Sequence, residues 1–161
     1  LHADRRPERG DGQVGVGPVS IVELVRRARE SNDFGALAAG IPYMKALDMH
    51  VHEAAGCLTV ELRAAALHTG NPWLPALHGG VIGGLLETAA IVQLAHDQDG
   101  DSLPKPINVT IDYLRSGRIE TTWARAQVTK HGRRVANVQA SCWQGDAEKP
   151  IATLVGHFLM S

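Results

Sequence analysis

Residues 71–90 have the sequence NPWLPALHGGVIGGLLETAA, and the second half of this stretch begins an apolar run that continues to about Ala95. Between Gly79 and Ala95 the only ionisable side chain is Glu87. The length of the run predicts a helix rather than a strand, and apolar residues on nearly all sides predict that this helix is buried. Because an unpaired buried carboxylate is costly, Glu87 either takes part in chemistry or pairs with an Arg or Lys from elsewhere in the chain.

The segment Leu77-His78-Gly79-Gly80 stands at the predicted start of this helix. The free backbone N–H groups and the positive dipole end of a helix N-terminus favour an anion or a developing oxyanion. Two glycines let a substrate carbonyl approach the backbone without a Cβ atom in the way. One helix therefore offers an oxyanion site at its first turn and a carboxylate two turns further in.

Three regions follow from the composition along the chain. Residues 1–19 are charged and rich in Gly and Pro, which predicts a flexible leader. Ser20 and Glu23 form a capping-box pattern at the start of an N-terminal helical segment, residues 20–40. Residues 41–161 are predicted to form one domain.

Period-two patterns dominate the rest of the chain. Apolar and polar residues alternate over 47–52 and 58–62, which predicts a hairpin with one buried face, and residues 67–77 are predicted to be a loop. Four more strand-like runs are separated by turn residues: about 106–115, 120–130, 133–144 and 150–160. This order predicts an α+β fold in which an antiparallel sheet wraps around one long central helix.

Composition limits the partners. The formal net charge of −1 provides no field that would attract nucleic acid or an anionic membrane. No apolar run reaches the roughly 18–20 uninterrupted residues of a membrane span, and the first residues contain no apolar signal core. Cys57 and Cys142 are far apart and lack metal-type spacing. We therefore expect a cytoplasmic protein with two reduced cysteines.

Three blocks carry a specific resemblance. In residues 71–90 an acid, Glu87, follows the His of His-Gly-Gly after nine residues. This segment resembles the signature of hotdog thioesterases of the PaaI-like (phenylacetate-pathway) family. Residues 107–116, INVTIDYLRS, resemble the third strand of that family, and residues 130–134, KHGRR, resemble its basic turn before the fifth strand. The resemblance covers about residues 41–160 and implies the hotdog fold.

The resemblance also implies the chemistry, which is hydrolysis of an acyl- or aryl-acyl-CoA thioester. Glu87 would act as general base or nucleophile, and its side chain is one methylene longer than the Asp common in the family. The Gly79 N–H would polarise the thioester carbonyl, with Gly80 next to it. His78 would position the thioester, and Asn71 would help to orient the water.

Basic residues are candidates for binding the phosphates of coenzyme A through charge-assisted hydrogen bonds. They are Arg115, Lys130, Arg133 and Arg134, and the alternative interpretation is an ordinary charged hairpin turn. Coenzyme A is part of the substrate, and no separate cofactor is expected.

A homodimer or a dimer of dimers is expected, with active sites shared between chains. A single sheet on one helix leaves no second wall for a long acyl group. Strand 106–115 has apolar side chains on both of its faces, which suits pairing with another chain. Burial of the strand within one chain would explain the pattern nearly as well. The resemblance implies that the partner's strand borders the site near Asn108 and Thr110.

Other functions are weaker alternatives. Asp48, His50 and His52 share one face of a strand and could bind zinc, but a solvated strand face is the favoured interpretation and no metal is expected. Hotdog hydratases or dehydratases also use a His and an acid, at longer spacing and without His-Gly-Gly. A non-catalytic acyl-CoA-binding module would lack Glu87. Neither a G-x-S-x-G nor a phosphate-binding G-x-x-x-x-G-K-[ST] motif occurs.

Overall fold

The computed structural model describes residues 19–55, 57–98 and 102–160, without the side chain of Ile21. The predicted leader, residues 1–19, lies outside the described residues except for its last position. The predicted domain boundaries stay predictions.

Three short helices precede the sheet: α1 (Ile21–Ser31), α2 (Phe34–Gly40) and α3 (Pro42–Ala46). The Ser20 hydroxyl accepts a hydrogen bond from the Glu23 N–H at 3.2 Å and caps α1, as the sequence predicts. Asn32 then adopts a left-handed conformation with φ of 54°, which ends α1, and Asp33 caps α2. The predicted N-terminal helical segment is therefore divided, and Pro42 starts α3 as its first residue.

The main sheet has six antiparallel strands in the order β1-β2-β6-β7-β8-β5, and β3 and β4 form a separate two-stranded hairpin. The strands are β1 (Met49–Ala54), β2 (Cys57–Leu62), β3 (Thr69–Asn71), β4 (Leu74–Leu77), β5 (Lys105–Tyr113), β6 (Thr122–His131), β7 (Val135–Trp143) and β8 (Ala152–Leu159). The predicted antiparallel sheet is confirmed. Residues 67–77 contain the β3–β4 hairpin instead of a simple loop, because its irregular register leaves no period-two pattern in the sequence.

The central helix α4 (Gly79–Asp97) packs against one face of the sheet, chiefly on β6, β7 and β2. Small buried residues on that face let the helix approach closely: Ala124, Ala126, Ala136, Ala140 and Ala152. By length and composition alone α4 could cross a membrane, but most of its apolar window is buried within the fold. The predicted wrapping of a sheet around one helix is confirmed.

Strand β5 lies at the edge of the sheet, where it pairs only with β8 among the described strands. Its apolar side chains remain open to solvent, with Ile107 57% and Tyr113 54% exposed, and Leu114 directly after it is 53% exposed. An edge with unpaired backbone groups and apolar side chains is a surface on which another strand can pair.

Candidate active site

His78 is the N-cap of α4. Its Nδ1 accepts a hydrogen bond from the Gly80 N–H at 2.9 Å, so the N–H of Gly80 is already used within the chain. Because Nδ1 accepts, the neutral ring carries its proton on Nε2, an assignment that follows from the hydrogen-bond network. In the described part of the chain the backbone N–H of Gly79 has no hydrogen-bond partner. Among the residues that the structure describes, Gly79 thus supplies the free donor at this helix end.

The first turn of α4 is held on several sides. The Tyr113 hydroxyl donates a hydrogen bond to the Gly79 carbonyl oxygen at 2.9 Å and ties the edge strand β5 to this turn. Before the helix, the Leu77 N–H bonds to the Gly117 carbonyl at 2.9 Å and the His78 N–H bonds to the His68 carbonyl at 2.8 Å. The free Gly79 N–H therefore has a fixed direction, which an oxyanion site requires.

Glu87 lies two turns further along α4 and is only partly buried. The prediction that this helix is buried on nearly all sides is therefore wrong for one stripe, since Gly80, Gly84, Glu87 and Ile91 are exposed or partly exposed. Among the described residues no ion pair or hydrogen bond reaches the Glu87 carboxylate, so the alternative of a structural pair with Arg or Lys gains no support.

A cavity of about 170 Å³ lies beside this stripe. Its polar lining residues are Glu87, Thr88 and Tyr43. The other lining residues are Ile41, Met44, Gly84, Ile91, Val92 and Leu103. A mostly apolar cavity with a few polar groups at one side is typical of a small-molecule site.

A larger hollow of about 530 Å³ lies on the opposite face of the sheet, where Arg125, Gln127, Gln139 and Thr153 line it. It contains none of the sequence-predicted site residues. Because the smaller cavity contains the candidate reactive group, Glu87, we place the candidate site there; Gly79 is not among its lining residues and lies two turns earlier on α4.

Comparison with known proteins identifies the family. Residues 69–159, more than half of the chain, match the family of the acyl-CoA thioesterase N-terminal domain. The chain belongs to this family. The thioesterase family and the hotdog fold that the sequence resemblance implies are confirmed, and solved structures of PaaI proteins share the fold.

Several solved structures share this fold. A protein of Chromobacterium violaceum is 35% identical, with a TM-score of 0.68 over 85% of this chain and 96% of that one. At lower identity, where the likeness shows the fold alone, the Escherichia coli PaaI protein from the phenylacetic acid degradation operon is 20% identical, with a TM-score of 0.69 over 88% and 96% of the two chains. A phenylacetic acid degradation-related protein of Ralstonia eutropha is 21% identical, with a TM-score of 0.68 over 79% and 98%. The search of curated proteins found no match.

Asn71, predicted to orient the water, lies at the end of β3. Its Oδ1 accepts a hydrogen bond from the Trp73 N–H at 3.0 Å, so the side chain shapes the hairpin turn. None of the hydrogen bonds in the described ranges joins Asn71 to Glu87. Trp73 at the tip of this hairpin is 95% exposed.

The predicted coenzyme A contacts fall at two ends of the main sheet. Arg115 follows β5 at the same end as Gly79, and its Nη1 donates a weak 3.4 Å hydrogen bond to the Pro150 carbonyl. Lys130, Arg133 and Arg134 are exposed around the β6–β7 turn, beside the start of β5. The ends of a strand as long as β5 are about 26 Å apart, so a single chain does not bring this basic turn to the helix N-terminus.

Asn108 and Thr110, predicted to border the site of a facing chain, lie on the sheet face away from α4. The Asn108 Oδ1 is 2.8 Å from Nδ1 of His157, which also faces outward on β8. The alternate residues of β5 face the helix, as the contact of the Ile111 side chain with Gly83 indicates. The residues of β5 that face the helix, such as Ile111 and Tyr113, are therefore better placed than Asn108 and Thr110 to border a site beside α4.

The zinc alternative is not assembled in the described residues. The His50 ring pairs with Asp48 at 2.7 Å, and the His52 ring pairs with Glu61 at 2.8 Å. Within the described ranges no group of three or more His, Cys, Asp or Glu side chains is placed to hold a metal ion.

Sequence reasoning missed two tyrosines. Tyr43 enters the cavity from α3, and Tyr113 holds the first turn of α4. Tyr113 lies inside the block that carries the family resemblance, but its hydrogen bond depends on a register that sequence does not give. Tyr43 follows Pro42, and only the position of the helix start after that proline could have drawn attention to it.

Proposed function

We propose that this protein hydrolyses an acyl- or aryl-acyl-CoA thioester to the free acid and coenzyme A. The observation that carries the proposal is the pairing of two groups on α4. An unpartnered Gly79 N–H stands at the first turn, and the Glu87 carboxylate, with no partner among the described residues, stands two turns later beside an apolar cavity. Membership of the acyl-CoA thioesterase family supports the substrate class.

In this proposal Glu87 acts as a general base. It accepts a proton from a water molecule as the water oxygen attacks the thioester carbonyl carbon. The Gly79 N–H donates a hydrogen bond to the carbonyl oxygen as negative charge develops on it. When the tetrahedral intermediate collapses, the C–S bond breaks and the thiolate of coenzyme A takes the proton back from Glu87.

The size of the cavity supports a compact acyl group. Its volume of about 170 Å³ is close to the volume of an engineered cavity of about 150 Å³ that binds benzene. We propose that the acyl or aryl group enters between α3 and α4, with its carbonyl carbon near Glu87. The nucleotide end of coenzyme A would then extend beyond the helix N-terminus.

A homodimer would bring the basic turn to that nucleotide. If the exposed β5 edges of two chains pair antiparallel, the start of one β5 lies beside the end of the other. The partner's β7 is then three strand spacings, or about 14 Å, from this chain's β5. That is about half the separation within one chain, so Lys130, Arg133 and Arg134 would serve the neighbouring site.

Hydrolysis of a panel of acyl-CoA substrates, measured as release of free thiol, tests the proposed function. Burial raises the pKa of the Cys142 thiol to about 12, which slows its reaction with the thiol reagent, and a blank with protein alone accounts for the partly exposed Cys57. Hydration of an enoyl-CoA without thiol release would favour the hydratase alternative. Binding of acyl-CoA without either reaction would favour the non-catalytic alternative.

Charge reversal in the basic turn should weaken substrate binding. We expect the double substitution Arg133→Glu and Arg134→Glu to raise KM for an acyl-CoA about 10-fold or more at low salt, because it removes two attractive contacts and adds two repulsive ones. The wild-type KM should rise with salt, and that of the variant should not. Initial rates over a range of acyl-CoA and salt concentrations measure both effects.

Two controls test whether the rise in KM is specific to the nucleotide and to the basic turn. An acyl thioester of N-acetylcysteamine lacks the nucleotide, so its KM should change little in the same variant. The matched variant Arg26→Glu and Arg27→Glu makes the same charge change on the exposed surface of α1, where ion pairs contribute little. Equal changes of KM for both substrates would mean that the turn has only a structural role.

A further inference from the structure

Tyr43 reaches the cavity from α3, and its hydroxyl lies directly over Gly84 of α4. The contact is so close that a Cβ atom on residue 84 would overlap the phenol oxygen. Tyr43 is 50% exposed, so burial of its ring in the core does not explain this approach. Glycine at position 84 is what allows the hydroxyl to touch the helix surface.

Glu87 occupies the next turn of the same stripe, three residues after Gly84. Side chains three residues apart on a helix are neighbours, with Cβ atoms about 5–6 Å apart. Helical side chains also lean back toward the N-terminus, which directs the Glu87 carboxylate toward the turn that contains Gly84. The phenol and the carboxylate therefore face the same small volume, and both line the 170 Å³ cavity.

The Tyr43 hydroxyl has no hydrogen-bond partner among the described residues, and no hydrogen bond joins it directly to Glu87. Burial, and after it the negative charge of Glu87, raises the pKa of the Tyr43 phenol above its ordinary value. A tyrosine with a raised pKa stays protonated at neutral pH and remains a hydrogen-bond donor. A donor and a carboxylate acceptor thus face each other across a gap.

We propose that Tyr43 is a positioning residue that holds the attacking water against Glu87. The inference rests on the proposed thioester hydrolysis. The phenol O–H donates to the water oxygen, one water O–H donates to the Glu87 carboxylate, and the remaining lone pair of the water faces the thioester carbon. Glu87 takes the proton, and Tyr43 keeps its own throughout. Tyr43 thereby fills the role that sequence assigned to Asn71, whose Oδ1 is engaged by the Trp73 N–H.

The substitution Tyr43→Phe keeps the ring and removes only the hydroxyl. We expect kcat to fall about 10- to 100-fold, because the water is no longer oriented, while KM changes less than about 2-fold. The factor by which kcat decreases should be the same for short, long and aromatic acyl groups, because the hydroxyl acts on the water and not on the acyl group. The thermal unfolding midpoint should stay that of the wild type.

Two kinetic results would overturn the inference. One is an unchanged kcat in Tyr43→Phe when the wild type is active, which would leave the proposed hydrolysis intact. The other is a loss confined to bulky acyl groups, which would make Tyr43 part of the acyl wall. A wild type that releases no thiol from any acyl-CoA would overturn the proposed function and this inference together.

Gly84→Ala provides a second variant that acts on the same contact. Its methyl group should displace the phenol and lower kcat in the wild-type background by about as much as Tyr43→Phe. In the Tyr43→Phe background the hydroxyl is already absent, so Gly84→Ala should cost clearly less. Fully additive losses would mean that Gly84 and Tyr43 act separately and would overturn the positioning role.

Ionisation of Tyr43 gives a readout that needs no turnover. The absorbance of tyrosinate during an alkaline titration, with the signal of Tyr43→Phe subtracted to remove Tyr113, reports Tyr43 alone. In Glu87→Gln the pKa of Tyr43 should move down toward its ordinary value, because the negative charge is gone. An identical titration of Tyr43 in wild type and Glu87→Gln would show that the two groups do not face each other and would refute the inference.

Discussion

Glu87→Gln is expected to lower kcat for acyl-CoA hydrolysis by about 10²- to 10⁴-fold, the range that a positioned general base contributes. The amide has the shape of the carboxylate but cannot accept a proton from water. KM should change little, because the Gly79 N–H and the cavity walls remain. Steady-state thiol release with the same acyl-CoA panel measures both parameters.

Stability distinguishes a catalytic carboxylate from a structural one. Glu87 has no ion-pair partner among the described residues, so Glu87→Ala should leave the unfolding midpoint unchanged or slightly raised. Glu30→Gln removes a carboxylate from the exposed surface of α1 and serves as the matched control for kinetics. An unfolded Glu87→Ala protein would support a structural pair instead, and undiminished kcat in Glu87→Gln would exclude the catalytic role.

The same residue could act as a nucleophile, and isotopic oxygen separates the two roles. In a single turnover in ¹⁸O-labelled water, a general base leaves the label only in the released acid. A nucleophile forms an anhydride with the acyl group, and attack of water on the Glu87 carbonyl carbon of that anhydride leaves label in the Glu87 carboxylate, which a general base does not acquire. Mass spectrometry of the peptide that contains Glu87 detects the label. Label in this peptide would contradict the general-base mechanism and support the nucleophilic one.

Mixed dimers should recover activity that neither parent has. One parent chain carries Glu87→Gln with an intact basic turn, and the other carries Arg133→Glu and Arg134→Glu with an intact Glu87. If β5 edges pair, one site of the mixed dimer combines the intact Glu87 of one chain with the intact turn of its partner. Mixed dimers isolated with two different tags should then show about half the wild-type kcat with a wild-type KM.

As a control for the mixed dimers, each parent chain is co-expressed with a differently tagged copy of itself and purified in the same way. These homodimers should keep the defect of their parent. If each chain holds a complete site, the mixed dimer shows only the raised KM of the basic-turn parent. Sedimentation of the wild type at micromolar concentration complements this test. An active species that sediments as a monomer would refute the shared site.

The long helix could be predicted because its apolar run exceeds the length of a strand, and the main strands because their period-two pattern matches one buried face. The β3–β4 hairpin could not, since its three- and four-residue strands pair irregularly and bury little. The break between α1 and α2 depends on the left-handed conformation of Asn32, which a sequence permits without requiring.

For the site, Glu87, Gly79 and His78 could be found because they belong to one continuous segment with fixed helical spacing. Tyr43 could not, because its contact with Gly84 joins two elements far apart in sequence. The partial exposure of Glu87 was also beyond the sequence, since hydrophobic pattern does not tell which side of α4 the sheet covers. For the same reason the sequence does not tell which alternate residues of β5 face α4, that is, whether Asn108 or Ile111 faces the helix.

The contact between Tyr43 and Gly84 has a consequence for how this lineage can vary. Because no side chain fits at position 84 while the phenol lies over it, we expect the residues at positions 43 and 84 to vary together. Homologues with an aromatic residue at the position of Tyr43 should have glycine at the position of Gly84, and homologues with a small residue at 43 should tolerate alanine or serine at 84. A deep alignment of homologues would show this as covariation between the two columns, and independent variation would mean that the close approach is particular to this chain.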